Sequence, residues 1–218
     1  MTLPSKENNL QVIVDCGVVA VIRANDSSQL LDITRAVSAG GVKAIEITMT
    51  VPNAIEGIEK VVAELGDDVV VGVGTVLDPE TTRLALLAGA EFVVSPVYKP
   101  EILSMAKRYS KIVIPGAFTP TEILLAWEAG ADAVKVFPAT KLGPEFFKDM
   151  RGPFPDIRLT PTGGVNLSNA GDFIKAGASF VGVGSALTDK AMIREKRWDD
   201  LAAHSRKFVE AVASARMG

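Results

Sequence analysis

Four times along this chain one short unit recurs: AGGVKAIEI at 39–47, AGAEFVVSP at 88–96, AGADAVKVF at 129–137 and AGASFVGVG at 176–184. Each places a glycine where a helix has to stop and an apolar, β-rich run directly behind it. Glycine reaches the left-handed backbone that ends a helix at little steric cost, and a short run without polar alternation reads as a strand buried on both faces. Further runs of this kind lie at 18–23, 69–75, 112–116 and 158–162. They alternate with helical stretches near 28–39, 52–65, 79–88, 100–108, 119–129, 144–150, 168–176 and 197–214. Eight strand-then-helix units predict an α/β fold, a (β/α)8 TIM barrel. A helix at 6–15 is extra to the eight and is expected to cover the barrel bottom. Asp78-Pro79-Glu80, Thr119-Pro120-Thr121-Glu122 and Asn166-Leu167-Ser168-Asn169 supply capping side chains, first-turn prolines or early acids, so the loops are short. No Pro/Gly/Ser-rich linker divides the chain, and residues 1–218 read as a single barrel domain. An open doubly wound sheet is the competing architecture, but no Gly-x-Gly-x-x-Gly turn follows the first strand.

With 48% hydrophobic and 22% charged residues the chain can bury a large core. Lys and Arg number 23 against 26 Asp and Glu, with no basic run or aromatic-interleaved basic stripe, which speaks against a nucleic-acid partner. No leader-type apolar segment opens the sequence and no stretch of 18 apolar residues occurs, so no membrane contact and a cytoplasmic location are expected. One cysteine and one histidine exclude a disulfide within the chain and leave no His/Cys cluster with metal-ligand spacing. Cys16 reads as a small core residue and His204 as a solvated member of a polar helix.

In such a barrel the active site lies at the C-terminal strand ends, so polar residues placed there are informative. They are Arg23, Glu46, Thr48, Thr75, Ser95, Lys135, Thr160 and Thr162. Alternation puts Ile45, Ile47, Val134 and Val136 against the helices, leaving Ala44, Glu46, Thr48, Ala133, Lys135 and Phe137 facing inward. Burial makes a lysine ammonium costly and pushes the amine toward its neutral, nucleophilic form, which at an ordinary pKa is only roughly 0.04% of molecules near neutral pH. That is what imine chemistry requires. A lysine that snorkels to solvent or pairs with a carboxylate fits the same position. Strands two and six are both even-numbered and share a side-chain layer, so Glu46 and Lys135 are expected to converge, as an ion pair or as an acid/base and nucleophile couple. Gly163-Gly164 and Gly184-Ser185 follow the last two strands, where such barrels often hold a phosphate on backbone N–H groups; tight turns are the plainer use of glycine there.

Glu46-Ile-Thr, Gly72-Val-Gly-Thr-Val, Val94-Ser-Pro, Ile114-Pro-Gly, Thr119-Pro-Thr-Glu, Val134-Lys-Val-Phe-Pro-Ala, Gly152-Pro-Phe-Pro, Pro161-Thr-Gly-Gly-Val and Val183-Gly-Ser stand in one order. In that combination the chain resembles the 2-keto-3-deoxy-6-phosphogluconate / 4-hydroxy-2-oxoglutarate aldolases from about residue 10 to 215. The resemblance implies a homotrimeric, metal-independent class I aldolase without a cofactor, cleaving a phosphorylated keto acid to pyruvate and glyceraldehyde 3-phosphate. It assigns Lys135 as the imine-forming residue and Glu46 as the general acid/base. Thr75 would help hold the pyruvyl carboxylate, with Pro96 and Phe137 lining the pocket. Gly163, Gly164, Gly184 and Ser185 match the phosphate end, and Thr162 lies near the C4 hydroxyl, leaning toward the gluconate-derived epimer. Many members carry an arginine four residues after the glutamate to bind the carboxylate, but here that residue is Thr50. Arg23 is expected to supply the charge instead. A phosphosugar isomerase or decarboxylase on the same barrel, and a catalytically silent phosphosugar-binding barrel, are the competing functions.

Overall fold

A computed structural model describes residues 5–217; residues 1–4 and 218, the first four of which belong to the start read for a leader, lie outside the described residues. The strands are β1 (Val18–Ile22), β2 (Ala44–Thr48), β3 (Val70–Gly74), β4 (Phe92–Val94), β5 (Ile112–Ile114), β6 (Gly116–Ala117), β7 (Val134–Val136), β8 (Leu159–Pro161) and β9 (Val181–Val183). All the pairings between them are parallel, in the orders β5-β4-β3-β2-β1-β9 and β6-β7-β8. β5 and β6 are two halves of one barrel strand interrupted at Pro115, which has no N–H to give to a ladder. Nine segments therefore fill eight positions. Asp132 N–H donates to Val113 O at 3.0 Å and Lys135 N–H to Pro115 O at 2.8 Å, while a bridge between Thr162 and Gly182 joins β8 to β9. The sheet closes, and the expected (β/α)8 barrel is the observed fold.

The helices are α1 (Lys6–Cys16), α2 (Leu30–Ala39), α3 (Ala54–Leu65), α4 (Pro79–Leu87), α5 (Pro100–Arg108), α6 (Pro120–Glu128), α7 (Gly143–Arg151), α8 (Ala170–Lys175), α9 (Lys190–Arg194) and α10 (Trp198–Met217). The repeated Ala-Gly unit does one physical job four times. Gly41, Gly89, Gly130 and Gly177 have φ of 97°, 98°, 89° and 101°. The N–H of the following residue then reaches back five residues: Val42 to Val37 O, Ala90 to Ala85 O, Ala131 to Ala126 O and Ala178 to Phe173 O. This 6→1 closure satisfies a last helical carbonyl and turns the chain straight into the next strand. The capping chemistry is also as read for α4 and α6, where Asp78 accepts from Thr81 N–H at 2.6 Å and Thr119 and Glu122 form a reciprocal capping box. The short helix α9, which the pattern does not announce, begins on Asp189, whose carboxylate accepts from Ala191 and Met192 N–H.

Ile45, Ile47, Val71, Val73, Val134 and Val136 pack outward against the helices. Val19, Ala44, Val70, Phe92, Ile112, Ala133 and Phe180 fill the interior, and Ile13 of α1 packs among them. Fully burying that one side chain is worth about 1.5–3 kcal/mol. α1 thus plugs the N-terminal end of the barrel, as expected. Polar ties seat it there: Lys6 to Asp132 at 2.7 Å, Asn9 Nδ2 to Glu91 at 2.9 Å, and Arg216 donating to Val14 O and Asp15 O at 2.6 and 2.7 Å. With one end plugged, the C-terminal strand ends form the accessible mouth. Among the described residues no helix is long and apolar enough to cross a membrane.

Candidate active site

Glu46 sits in the middle of β2 and Lys135 in the middle of β7, and both point inward because their neighbours in sequence pack outward. Glu46 is 2% exposed and Lys135 4%. Both line one small internal cavity, with Val94, Ile114, Thr160, Thr162 and Phe180 among its walls, and it has room for about one water molecule. No ion pair joins them, and Glu46 Oε1 has no hydrogen-bond partner among the described residues. The arrangement is not the structural salt bridge that the sequence left open. Desolvation holds the Glu46 carboxyl above its ordinary range, with Lys135 and Arg23 opposing the rise. Desolvation likewise lowers the Lys135 amine, against the pull of Glu46, and Arg23 adds to the lowering. The direction is that of a nucleophilic amine beside a proton-holding acid. Lys135 Nζ also stands 4.9 Å from the centroid of the Phe137 ring, where a cation is stabilised.

Gly74 makes room for Glu46. A Cβ there would lie 2.6 Å from Glu46 Cδ and 2.7 Å from Cγ. The Gly-Val-Gly run of β3 is therefore a requirement of the inner face, since Gly72 is likewise backed by the Phe92 ring.

A second, larger cavity opens above the first, lined by Val21, Arg23, Phe137, Thr162, Gly163, Gly164, Val165, Asn166, Gly184, Ser185 and Ala186. Thr162 borders both. Seven of the expected site residues thus meet in one space. Asn166 and Asn169 interlock ahead of α8: Asn169 Oδ1 accepts from Asn166 N–H at 2.8 Å, and Asn169 Nδ2 donates to Gly164 O at 3.0 Å. That loop delays the helix to Ala170, later than the sequence suggested, and fixes the glycine pair. The N–H groups of Gly164, Ser185 and Ala186 donate to no acceptor among the described residues.

Thr75 and Pro96 line neither cavity. They follow β3 and β4, the third and fourth barrel positions, while the glycine loops follow the seventh and eighth, directly across the mouth. Thr75 adopts φ 60°, unusual for a β-branched side chain and of the kind that clusters at functional sites. Arg23 is exposed, forms no ion pair with a described residue, and stands with the glycine loops rather than with Thr75. Thr50, in place of the missing arginine, shares a 2.7 Å hydrogen bond with Thr48.

Two readings from sequence need correction. His204 is not solvated: its ring is half-buried, packs edge-on against Phe208 and places Nε2 2.7 Å from Ala186 O. Cys16 lies at the edge of the core and not within it, its Sγ accepting from Lys43 N–H at 3.2 Å. Thr160 is a strand-end polar residue to which the sequence gives no role. It is the register partner of Lys135, it lines the inner cavity, and its hydroxyl is buried without a partner. Among the described residues no cluster of three or more His, Cys, Asp or Glu is placed to hold a metal ion.

Residues 10–204 match the model of the KDPG and KHG aldolase family. The chain is 35% identical to a 2-dehydro-3-deoxy-phosphogluconate aldolase of Pseudomonas aeruginosa, over 91% of this chain and 90% of the relative. It is 33% identical to a 2-dehydro-3-deoxy-6-phosphogalactonate aldolase of Escherichia coli, over 89% and 96%. A crystal structure of KDPG aldolase from Legionella pneumophila, with pyruvate captured as a covalent carbinolamine, superposes with a TM-score of 0.84 at 28% identity, covering 91% and 96%.

Proposed function

We propose that this chain, which belongs to the KDPG and KHG aldolase family, is a class I aldolase that cleaves 2-keto-3-deoxy-6-phosphogluconate to pyruvate and glyceraldehyde 3-phosphate. The observation that carries the proposal is the unpaired couple of Glu46 and Lys135, buried together at a one-water cavity beneath the glycine-loop cavity. The neutral Lys135 amine adds to the C2 ketone, and Glu46, directly or through a water, moves the protons that form and dehydrate the carbinolamine. The resulting protonated imine draws electrons as Glu46 or that water removes the C4 hydroxyl proton and the C3–C4 bond breaks. The enamine is then protonated at C3, and hydrolysis of the imine releases pyruvate. The carbinolamine of the Legionella relative supports the first step.

The substrate lies across the mouth, its phosphate on the loops after β8 and β9 and its carboxylate toward Thr75 and Pro96 after β3 and β4. Arg23 contributes its charge at the phosphate end, a revision of the carboxylate role expected from sequence that rests on the cavity it shares with Gly163, Gly164, Gly184 and Ser185. Holding both ends about the scissile bond lowers the barrier by positioning. Thr162, at the junction of the two cavities, favours the gluconate-derived epimer. The reaction needs no metal, and 4-hydroxy-2-oxoglutarate is a second, unphosphorylated substrate.

A cytoplasmic homotrimer goes with this reading. Leu77, Val97 and Phe118 stand exposed after three successive barrel strands, and Leu84, Leu87 and Leu125 are exposed on α4 and α6, an apolar side suited to a second copy.

Borohydride reduction with pyruvate should fix a pyruvate-derived mass on Lys135. An adduct on another lysine, or none, would remove the imine mechanism. Alongside it, kcat/KM for both phosphorylated epimers and 4-hydroxy-2-oxoglutarate tests the substrate: gluconate-derived first supports the proposal, and galactonate-derived first overturns the epimer assignment.

A further inference from the structure

α10 buries Leu201, Ser205, Phe208 and Val212 in a stripe facing α2 and α8. His204 lies at the edge of that stripe. Its ring meets Phe208, one turn on, at 5.4 Å between centroids and 85° between planes, which leaves the imidazole little freedom to turn. Nε2 is 2.7 Å from Ala186 O, and because a carbonyl only accepts, Nε2 carries the proton and donates.

The loop that receives this bond is the one after β9. In a trans peptide the C=O and the following N–H point in opposite directions, so fixing one fixes the other. The peptide after Ala186 is pinned on both sides: its carbonyl by His204, and its N–H, that of Leu187, by Gly184 O at 2.9 Å. Gly184 O also accepts from Thr188 N–H at 3.0 Å and from Thr188 Oγ1 at 3.2 Å. With that carbonyl turned toward Leu187 and Thr188, the Ser185 N–H in the same peptide faces the other way, where no described residue accepts it. The sister loop is built alike, with Asn169 Nδ2 holding Gly164 O from behind. Three side-chain donors outside the cavity, His204, Thr188 and Asn169, thus hold backbone carbonyls away from it.

We propose that His204 is a positioning residue for the phosphate subsite, holding the Gly184–Thr188 turn so that the Ser185 and Ala186 N–H groups stay directed at a substrate phosphate. This rests on the phosphate reading of the glycine loops given above. His204 touches neither Lys135 nor Glu46 in this geometry, so its removal acts on phosphate binding and not on the imine chemistry.

The test compares wild type, His204→Ala and His204→Gln on the phosphorylated keto acid and on 4-hydroxy-2-oxoglutarate, with inorganic phosphate as a competitive inhibitor. His204→Ala should raise KM for the phosphorylated substrate and Ki for inorganic phosphate together, by about 2- to 13-fold, the range one hydrogen bond of ordinary net worth supplies. Its kcat, and its kcat/KM for the unphosphorylated substrate, should stay within about twofold. His204→Gln, which keeps an N–H donor, should recover most of the loss. An equal loss on both substrates, whether from misfolding or from a role in chemistry, overturns the proposal. So does an unchanged KM for the phosphorylated substrate in His204→Ala, or no recovery in His204→Gln. A wild type that is not inhibited by phosphate and does not favour the phosphorylated substrate would instead fail the underlying reading, before any variant is compared.

Discussion

Gly74→Ala adds one methyl group to the wall behind the Glu46 carboxyl. Gly74 lies within β3 at a φ open to any residue, so alanine brings no backbone strain and the effect is confined to its Cβ. That atom would overlap Glu46 Oε1 and stand 2.6 Å from Cδ, whereas carbon–carbon contact begins near 3.5 Å, so the carboxyl has to retreat by at least about 0.9 Å. Glu46 is almost wholly buried and has no open side to retreat into except the one-water cavity it shares with Lys135. A displacement of about 1 Å at a reacting group is enough to lower turnover by about 10²-fold. Stability should change far less. Overpacking costs about 1–3 kcal/mol, offset by about 0.4–1 kcal/mol from the stiffer unfolded chain, a net loss of roughly 0–2.6 kcal/mol. The expected result is a folded variant with kcat down about 10²-fold and the reductively trapped pyruvate adduct on Lys135 still formed, more slowly. Gly152→Ala is the control, because its Cβ would meet nothing nearer than Asp149 O at 3.6 Å. Steady-state kinetics and urea melts of both variants decide the matter: a Gly74→Ala enzyme within threefold of wild-type kcat would show that Glu46 placement is not what β3 protects.

Thr160→Val removes a buried hydroxyl that has no partner, so the variant should be at least as stable as wild type, yet kcat should drop about 10-fold if that hydroxyl and Glu46 Oε1 hold a relay water. Unchanged kcat, read in the same steady-state assay, would deny Thr160 that role. Lys135→Met should abolish the borohydride adduct and alter the pH dependence of stability. The folded amine titrates below 10.5, so between its folded value and 10.5 the unfolded state binds more protons and wild-type stability rises with pH. The wild-type-minus-variant difference in urea unfolding should therefore climb through the alkaline range, and a flat or falling difference would contradict a lowered amine. Arg23→Leu should raise KM for the phosphorylated substrate by about 13- to 160-fold, the range for a hydrogen bond to a charged group, and leave KM for 4-hydroxy-2-oxoglutarate nearly unaffected. An equal rise in KM on both would return Arg23 to the carboxylate end.

Much of the barrel could be read because the information is local. A glycine at a helix end and the apolar run behind it lie within about ten residues, and the closure at Val42, Ala90, Ala131 and Ala178 depends on nothing farther away. Inward and outward faces follow from the same short range, since alternation alone separates Ile45 and Ile47 from Glu46. What was not legible joins residues far apart in sequence. Gly74 reads as one more loose glycine until Glu46, 28 positions away, is set against it. His204 is a polar residue on an exposed-looking helix until the turn at Ala186 is brought to its ring. Pattern reports which face a residue presents, and only packing reports what it meets.

The same distinction explains Arg23. From sequence, a missing arginine after Glu46 and an unassigned arginine at the end of β1 invite a simple exchange, because both follow strands on one side of the barrel. Closure changes the neighbours. β1 pairs with β2 on one edge and with β9 on the other, so a side chain just past Ile22 borders the Glu46 strand and the Gly184 loop alike. Two observations place it with the loop: it shares a cavity wall with Gly184, Ser185 and both glycines after β8, and Thr75 is absent from that wall. Its charge nevertheless reaches inward, opposing the rise that burial imposes on the Glu46 carboxyl and adding to the lowering that burial imposes on the Lys135 amine.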